Sequence, residues 1–242
     1  MIHHDSYDRA PAALEAMNAS QLQTGFINRV YGWMTFGLAV TAFFAWLIGG
    51  NQQLLIATVG RPGTYFLLLL LEFGLVIWLS AAFRSLSATA ATVLFLAFSA
   101  LNGITLSAVL LAYEPRSIAA SFFITSGTFG VMSLYGFLTK RDLTTLGNLA
   151  FMGLIGIIIA SVVNLFLQSG PLMLLINYLG VAIFVGLTAY DTQKIKQLSI
   201  AAGTGVIDAE TGKKLSVYGA LQLYLDFINL FLMLLRLFGN RR

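Results

Sequence analysis

Residues 223–236 read LYLDFINLFLMLLR, an apolar run that Asp226 interrupts near its middle and that carries Asn229 one turn further on. Wound at 3.6 residues per turn, the run and its flanks place Gln222, Asp226, Asn229, Met233 and Arg236 on one stripe of a helix, and the remaining faces are Leu, Phe, Ile and Tyr. A carboxylate at the centre of a membrane helix costs roughly 2.5–3.5 kcal/mol on insertion scales. Such a helix is expected inside a bundle, with its polar stripe turned toward an internal cavity.

The rest of the chain supplies the bundle. Of its 242 residues 58% are hydrophobic and 10% charged, where a soluble domain carries about 25% charged residues. The mean hydropathy of +0.83 is spread over the whole length. The fold class expected is an all-α membrane protein with seven transmembrane helices, and the lipid bilayer is its first partner. The seven apolar runs are Val30 to Ile48, Thr64 to Phe83, Ala88 to Leu111, Ser117 to Phe137, Gly147 to Leu167, Leu172 to Tyr190 and Ser216 to Phe238. Each is close to the ~20 helical residues that cross a hydrocarbon core. Residues 30–239 thus form a seven-helix transmembrane domain, preceded by a cytoplasmic segment, 1–29, and interrupted by one long cytoplasmic loop, 191–215, between runs six and seven.

Orientation follows from the basic residues. Arg9, Arg29, Arg84, Lys140, Arg141, Lys194, Lys196, Lys213 and Lys214 fall on the amino-terminal side, and Arg61, Arg116, Arg236, Arg241 and Arg242 on the other. The excess places the amino terminus in the cytoplasm and, after seven crossings, the carboxy terminus outside. Three of the opposing arginines cluster at that last end, where the rule disfavours them; a seventh segment that re-enters would relieve the conflict. The net charge of +4 is therefore a topology signal, and no nucleic-acid partner is expected.

Several chemistries drop out. With no cysteine there is neither a disulfide nor a thiolate metal site. His3 and His4, beside Asp5, lack further ligands and read as a polar terminus. The segment Gly203 to Lys214, GTGVIDAETGKK, resembles a phosphate loop but fails its spacing, because six residues separate Gly205 from Gly212 and Lys214 follows Lys213. Gly156 with Ala160, and Ala182 with Gly186, are spaced for close helix packing. No cofactor is expected.

Three acidic residues remain inside or at the edge of the runs: Glu72, Asp191 in GLTAYDTQKIK, and Asp226. Asn177, Thr188 and Asp191 share a face of run six. Two carboxylates brought together in a low-dielectric site cannot both ionise cheaply and share one proton. Without that proton they present the oxygens a hard cation such as calcium prefers, so Asp191 and Asp226 are the candidate metal-contacting, proton-sensing groups. Gln222, Asn229, Thr188 and Glu72 are candidate pore-lining residues. Arg84, at the inner end of run two, is placed at the level of Asp191, where it could hold a closed state or simply anchor its helix. A structural role for Asp226, bonded to neighbouring polar side chains, stands beside the gating role. Depth opposes a direct pair: Asp226 is about 18 Å of helix from Lys214, and Asp191 only three residues from Lys194, so run seven must begin in the cytoplasm or tilt.

LNGITLS (101–107), SLYGFLTKRDL (133–143), GLTAYDTQKIK (186–196) and LYLDFINLFLMLLRLFG (223–239) together resemble the Bax inhibitor-1 family of membrane proteins, its bacterial branch most closely. The resemblance implies six helices around a central seventh, and a pH-controlled calcium leak in the bacterial inner membrane with calcium as the permeant ion. It implies that Asp191 and Asp226 are the gating pair, that protonation favours closing, and that Arg84 corresponds to an arginine bonded to the helix-six aspartate in the closed state. Two other classes stay open. One is a partner that restrains other membrane proteins, including quality-control proteases. The other is an intramembrane aspartyl protease, against which LYLD lacks the G-x-G-D glycines and no Pro-Ala-Leu motif follows. The expectation is that the chain is not an enzyme.

Overall fold

The computed structural model describes residues 9–82 and 85–242. Eight helices make up the described chain: α1 (Arg9–Gly49), α2 (Gln52–Thr58), α3 (Pro62–Ala82), α4 (Ala88–Ala112), α5 (Pro115–Leu138), α6 (Thr144–Leu167), α7 (Gly170–Gly203) and α8 (Ala209–Phe238). Seven are long and apolar enough to cross a membrane; the short α2, between the first two, is not among them. The seven runs thus appear as α1 and α3 to α8.

Local chemistry explains most of the breaks. Ser87 accepts from the amide of Ala90, Asn51 from those of Gln53 and Leu54, and Asp208 from those of Glu210 and Thr211, each satisfying a first turn that has no helical partner. Pro115 opens α5 where its missing N–H costs nothing. Between α7 and α8 the chain reverses through Gly205, whose φ of 73° is one that a side chain disfavours.

α8 is the central element. Just over half, 56%, of its apolar stretch is buried, against 6% for α3. Its main packing partners are α7, α1, α5 and α4, while α3 rests chiefly on α4 and α6 on α7. The expected ring around a central last helix is present, with four members in direct contact and two on its outside. Leu223, Tyr224 and Leu230 on α8, with Phe95 of α4 and Val30 of α1, are fully buried at the middle.

α8 runs parallel to α4 and crosses the whole bundle. At one end Glu210 accepts from the amide of Ala88 at the start of α4. At the other, the amide of Arg242 donates to Ala112 at the end of α4, and Arg241 bridges Tyr113. A re-entrant seventh segment is therefore not what forms.

Three expectations need correction. The loop expected over residues 191–215 is helical at both ends: α7 continues to Gly203 and α8 begins at Ala209. Of the expected segment 1–29, the described part is no separate strip of chain: α1 is continuous from Arg9, and its Ala19 and Gln23 pack against Gly203 of α7. Hydropathy failed there because a helix that leaves lipid turns polar without ceasing to be a helix. Gly156 faces open space, and the tight approaches lie elsewhere: a Cβ at Gly136 of α5 would collide with the carbonyl oxygen of Ala189 on α7.

Candidate functional site

Two long helices bring the acidic residues together. α7 extends twelve residues beyond Asp191, and α8 starts seventeen residues before Asp226, about 18 and 26 Å of helix respectively. Both helices exceed a hydrocarbon core of about 30 Å, and the excess lies on the side of their connecting turn. This is the geometry that the depth objection required: the last helix starts well outside the level of the pair.

The level of Asp191 is set by its neighbours on α7. Gln193 donates through Nε2 to the carbonyl of Arg141 and accepts at Oε1 from the amide of Leu143, clamping the α5–α6 turn. Lys196 donates from Nζ to the carbonyl of Phe137, 2.7 Å away, in the last turn of α5, where a cation suits the helix dipole. The close contact of Gly136 with Ala189 holds α5 against the same stretch.

Asp191 and Asp226 are both buried, at 7% and 4% exposure. Their carboxyl groups lie close enough to act on each other. An ionised carboxylate only accepts, so a hydrogen bond between them needs a proton on one of the two. Oδ2 of Asp226 and Oε1 of Gln222, one turn before it, are buried with no hydrogen-bond partner. Lys194 is the nearby cation acting on Asp191, and it also lies 5.9 Å from the Tyr218 ring centre.

Beside the pair is an elongated cavity of about 820 Å³. α6, α7 and α8 wall it, with Phe73 reaching in from α3. The whole expected stripe of α8, Gln222, Asp226, Asn229, Met233 and Arg236, lines it, as does Asp191. From Tyr218 to Arg236 the lined part of α8 covers nineteen residues, a rise of about 27 Å, nearly the thickness of a hydrocarbon core.

The other expected site residues go elsewhere. Thr188 is fully buried and donates to the carbonyl of Phe184 within its own helix. Glu72 does not line the cavity; it is buried against α4, where Oε1 accepts from the hydroxyl of Thr105 at 2.6 Å. A hydroxyl donor on the adjacent helix gives this mid-membrane carboxyl the partner its burial demands. Asn177 is buried off the cavity. Arg84, and the pair His3 and His4, lie outside the described residues. Sequence reading missed Gln193 and Lys196, whose signal was present in TQKIK directly after Asp191, and Asn148 and Tyr218 of the cavity wall, which have none.

Among the described residues no group of three or more His, Cys, Asp or Glu side chains could hold a metal ion. The pair is thus two carboxyl groups of an open wall. A cation meeting them keeps most of its oxygen ligands as water or carbonyl groups, since calcium takes six to eight.

Known proteins fit this architecture. Residues 23–242 match the family model described as inhibitor of apoptosis-promoting Bax1. The inner membrane protein YbhL of Escherichia coli K12 is 51% identical over 221 residues, 91% of this chain and 93% of that protein. A protein of Borreliella burgdorferi is 44% identical with 91% and 94% coverage, and one of Deinococcus radiodurans 41% identical with 96% of both chains covered. With its fold, its match from the first membrane helix to Arg242 and these relatives, the chain belongs to the Bax inhibitor-1 family of membrane proteins.

Proposed function

We propose that the protein is a pH-sensitive calcium leak of the bacterial inner membrane, amino terminus cytoplasmic, gated by the protonation of Asp191 and Asp226, and that it is not an enzyme. The observation that carries the reading is the juxtaposition of two buried carboxyl groups on the wall of a cavity nearly as long as the membrane is thick. The two can be joined by a hydrogen bond only while the pair holds a proton. When that proton leaves, two like charges at about 4 Å repel by roughly 4 kcal/mol at an effective dielectric constant near 20. Such a term moves a two-state equilibrium about a thousandfold, enough to part α7 from α8. The same event concentrates negative charge where a hydrated divalent cation would pass, so opening and cation attraction have one cause. Arg84 is proposed as the basic residue that holds the closed state.

Calcium flux into proteoliposomes containing the purified protein, measured from acid to alkaline pH, tests this. Flux should rise with pH in the wild type, and Asp191→Asn and Asp226→Asn should each abolish the pH dependence, because a single ionisable group has no proton to share. Wild-type flux that is absent at every pH would overturn the reading and favour a role as a restraining partner of other membrane proteins.

A further inference from the structure

On the far side of α8 from the acidic pair lies a second, apolar slot of about 610 Å³. Its walls are α1 and α5, and its floor is α4 and α8. Along α1 it reaches from Gly49 inward to Leu38, eleven residue steps or about 17 Å, close to the ~15 Å of one leaflet of hydrocarbon. Phe227, Ile228 and Phe231 of α8 lie at its floor. The slot sits in the membrane-spanning region, so what fills it is apolar.

The mouth carries charge. Arg242 lines the slot at the end where α1 and α4 finish. It is put there by three backbone straps: its own amide donates to Ala112, the amide of Glu114 donates to Asn240, and the amide of Asn240 donates to the hydroxyl of Ser117. Arg241 is pinned beside it, 5.8 Å from the centre of the Tyr113 ring. These are two of the arginines that membrane topology disfavours on this face. Trp46, 68% exposed, stands at the same rim, where an indole suits the boundary of lipid and water.

We propose that this slot is a binding site for an anionic diacyl phospholipid, with one acyl chain between α1 and α5 and the headgroup phosphate at Arg241 and Arg242. Depth selects a chain from the near leaflet, and the strapped arginines select a negative headgroup over a zwitterionic one. The arginine cluster at the end of the chain then has a reason to be on the face where orientation alone would not put it. The site is separate from the acidic pair and does not depend on what that pair does.

Native mass spectrometry of the delipidated, detergent-purified protein tests it, with phosphatidylglycerol and phosphatidylcholine of identical chains as probes. Phosphatidylglycerol should be retained in preference. A basic residue near a membrane surface contributes about fivefold in affinity for anionic lipid, so Arg241→Gln with Arg242→Gln should cut that preference roughly twentyfold, to parity. The Lys/Lys pair should keep most of it. Ala42→Trp, which fills the slot from an exposed position on α1, should remove both lipids. Equal retention of the two lipids by the wild type, a preference that survives the Gln/Gln change, or full retention in Ala42→Trp would overturn the proposal. So would a dimer that Ala42→Trp dissociates, because a second copy would then be the occupant. Should Ala42→Trp fail to fold, the arginine variants alone decide.

Discussion

Thr41, Ser99 and Tyr224 form a buried knot among α1, α4 and α8, and its hydrogen-bond arithmetic gives a test that changes sign with background. Thr41 Oγ1 lies 2.6 Å from the Tyr224 hydroxyl, 2.9 Å from the carbonyl of Ser99 and 3.0 Å from that of Gly37. A threonine hydroxyl has one proton and the two carbonyls can only accept, so when Thr41 donates to a carbonyl it is the Tyr224 hydroxyl that donates to Thr41. Ser99 stands on the other side of the phenol as a second partner. The ring itself is fixed by edge-on contacts with Phe95 and Phe98, with centres 5.7 and 5.9 Å away.

Tyr224→Phe keeps the ring and loses one interhelical bond, worth about 0.6–1 kcal/mol in a membrane protein. Thr41→Val with Ser99→Ala instead leaves a fully buried phenol with no side-chain partner, about 1–3 kcal/mol for the orphaned hydroxyl alone. Adding Tyr224→Phe to that double variant removes the orphan. The same substitution therefore destabilises the wild type by up to about 1 kcal/mol and stabilises the double variant by about 1–3 kcal/mol. Thermal unfolding in detergent, followed by circular dichroism, reads both, at about 2–4 °C per kcal/mol for a chain of this size. If Tyr224→Phe destabilises both backgrounds alike, the knot is not the closed hydrogen-bond system described and the reasoning fails.

Gly136→Val should lower the yield of folded protein sharply, because its side chain meets the backbone of Ala189, whereas Gly156→Ala, beside open space, should be neutral; size-exclusion profiles compare them. Lys196→Met leaves the Phe137 carbonyl without its 2.7 Å donor and should cost about 1–3 kcal/mol in the same unfolding assay, while Lys196→Arg, which can still donate, costs less. Hydrogen bonds from Thr211 and Glu210 hold the exposed Asp208 carboxyl below its ordinary range. Its contribution to the first turn of α8 is therefore complete above the unfolded value of about 3.9 and is lost as pH falls through the lower folded value. Amide exchange of Glu210 and Thr211 should speed up, relative to its intrinsic acid rate, only in that acid range, and Asp208→Asn should remove the pH dependence; loss of protection already at neutral pH would contradict the cap.

How far the sequence carried depended on what each signal measured. Hydropathy finds lipid, so it located seven spans and failed where helices leave lipid: Thr192 to Gly203 and Ala209 to Leu215 are helical yet polar enough to resemble loop. That failure created the depth objection to pairing Asp191 with Asp226, and the extended helices remove it. Periodicity finds faces: Gln222, Asp226, Asn229, Met233 and Arg236 share one stripe in the sequence and line one cavity in the structure. On α7, Thr188 and Asn177 share a face with Asp191 but not the cavity: Thr188 is buried next to the close approach of α5 at Gly136 and Ala189, and Asn177 is buried further along the helix. Glu72 was visible as an anomaly, but its partner Thr105 comes from another helix, and no spacing within one segment reveals such a pairing.

The two sides of α8 have opposite physical character, and that division decides which helices can move. Tyr224 and Asp226 are two residues apart, about 200° around the helix, so the hydroxyl knot and the carboxyl pair sit on nearly opposite faces. On the knot side every bond is interlocked with α1 and α4, and Glu210 and Arg242 tie both ends of α8 to the ends of α4. On the carboxyl side α8 packs on α7 through Leu230 and Leu234 against Ile176, Phe184 and Leu187, and that apolar contact is flanked by the carboxyl pair and the 820 Å³ cavity. On the gating proposed above, α1, α4 and α8 are assigned the stationary half, and the movement on deprotonation is assigned to α7 with α6, which packs on it, and to α5, which is bolted to α7 through Lys196, Gln193 and Gly136. Spin labels should accordingly show distances between α6 and α8 that change with pH, and distances between α4 and α8 that do not. A pH-dependent change between α4 and α8 would mean that the stationary half has been misassigned.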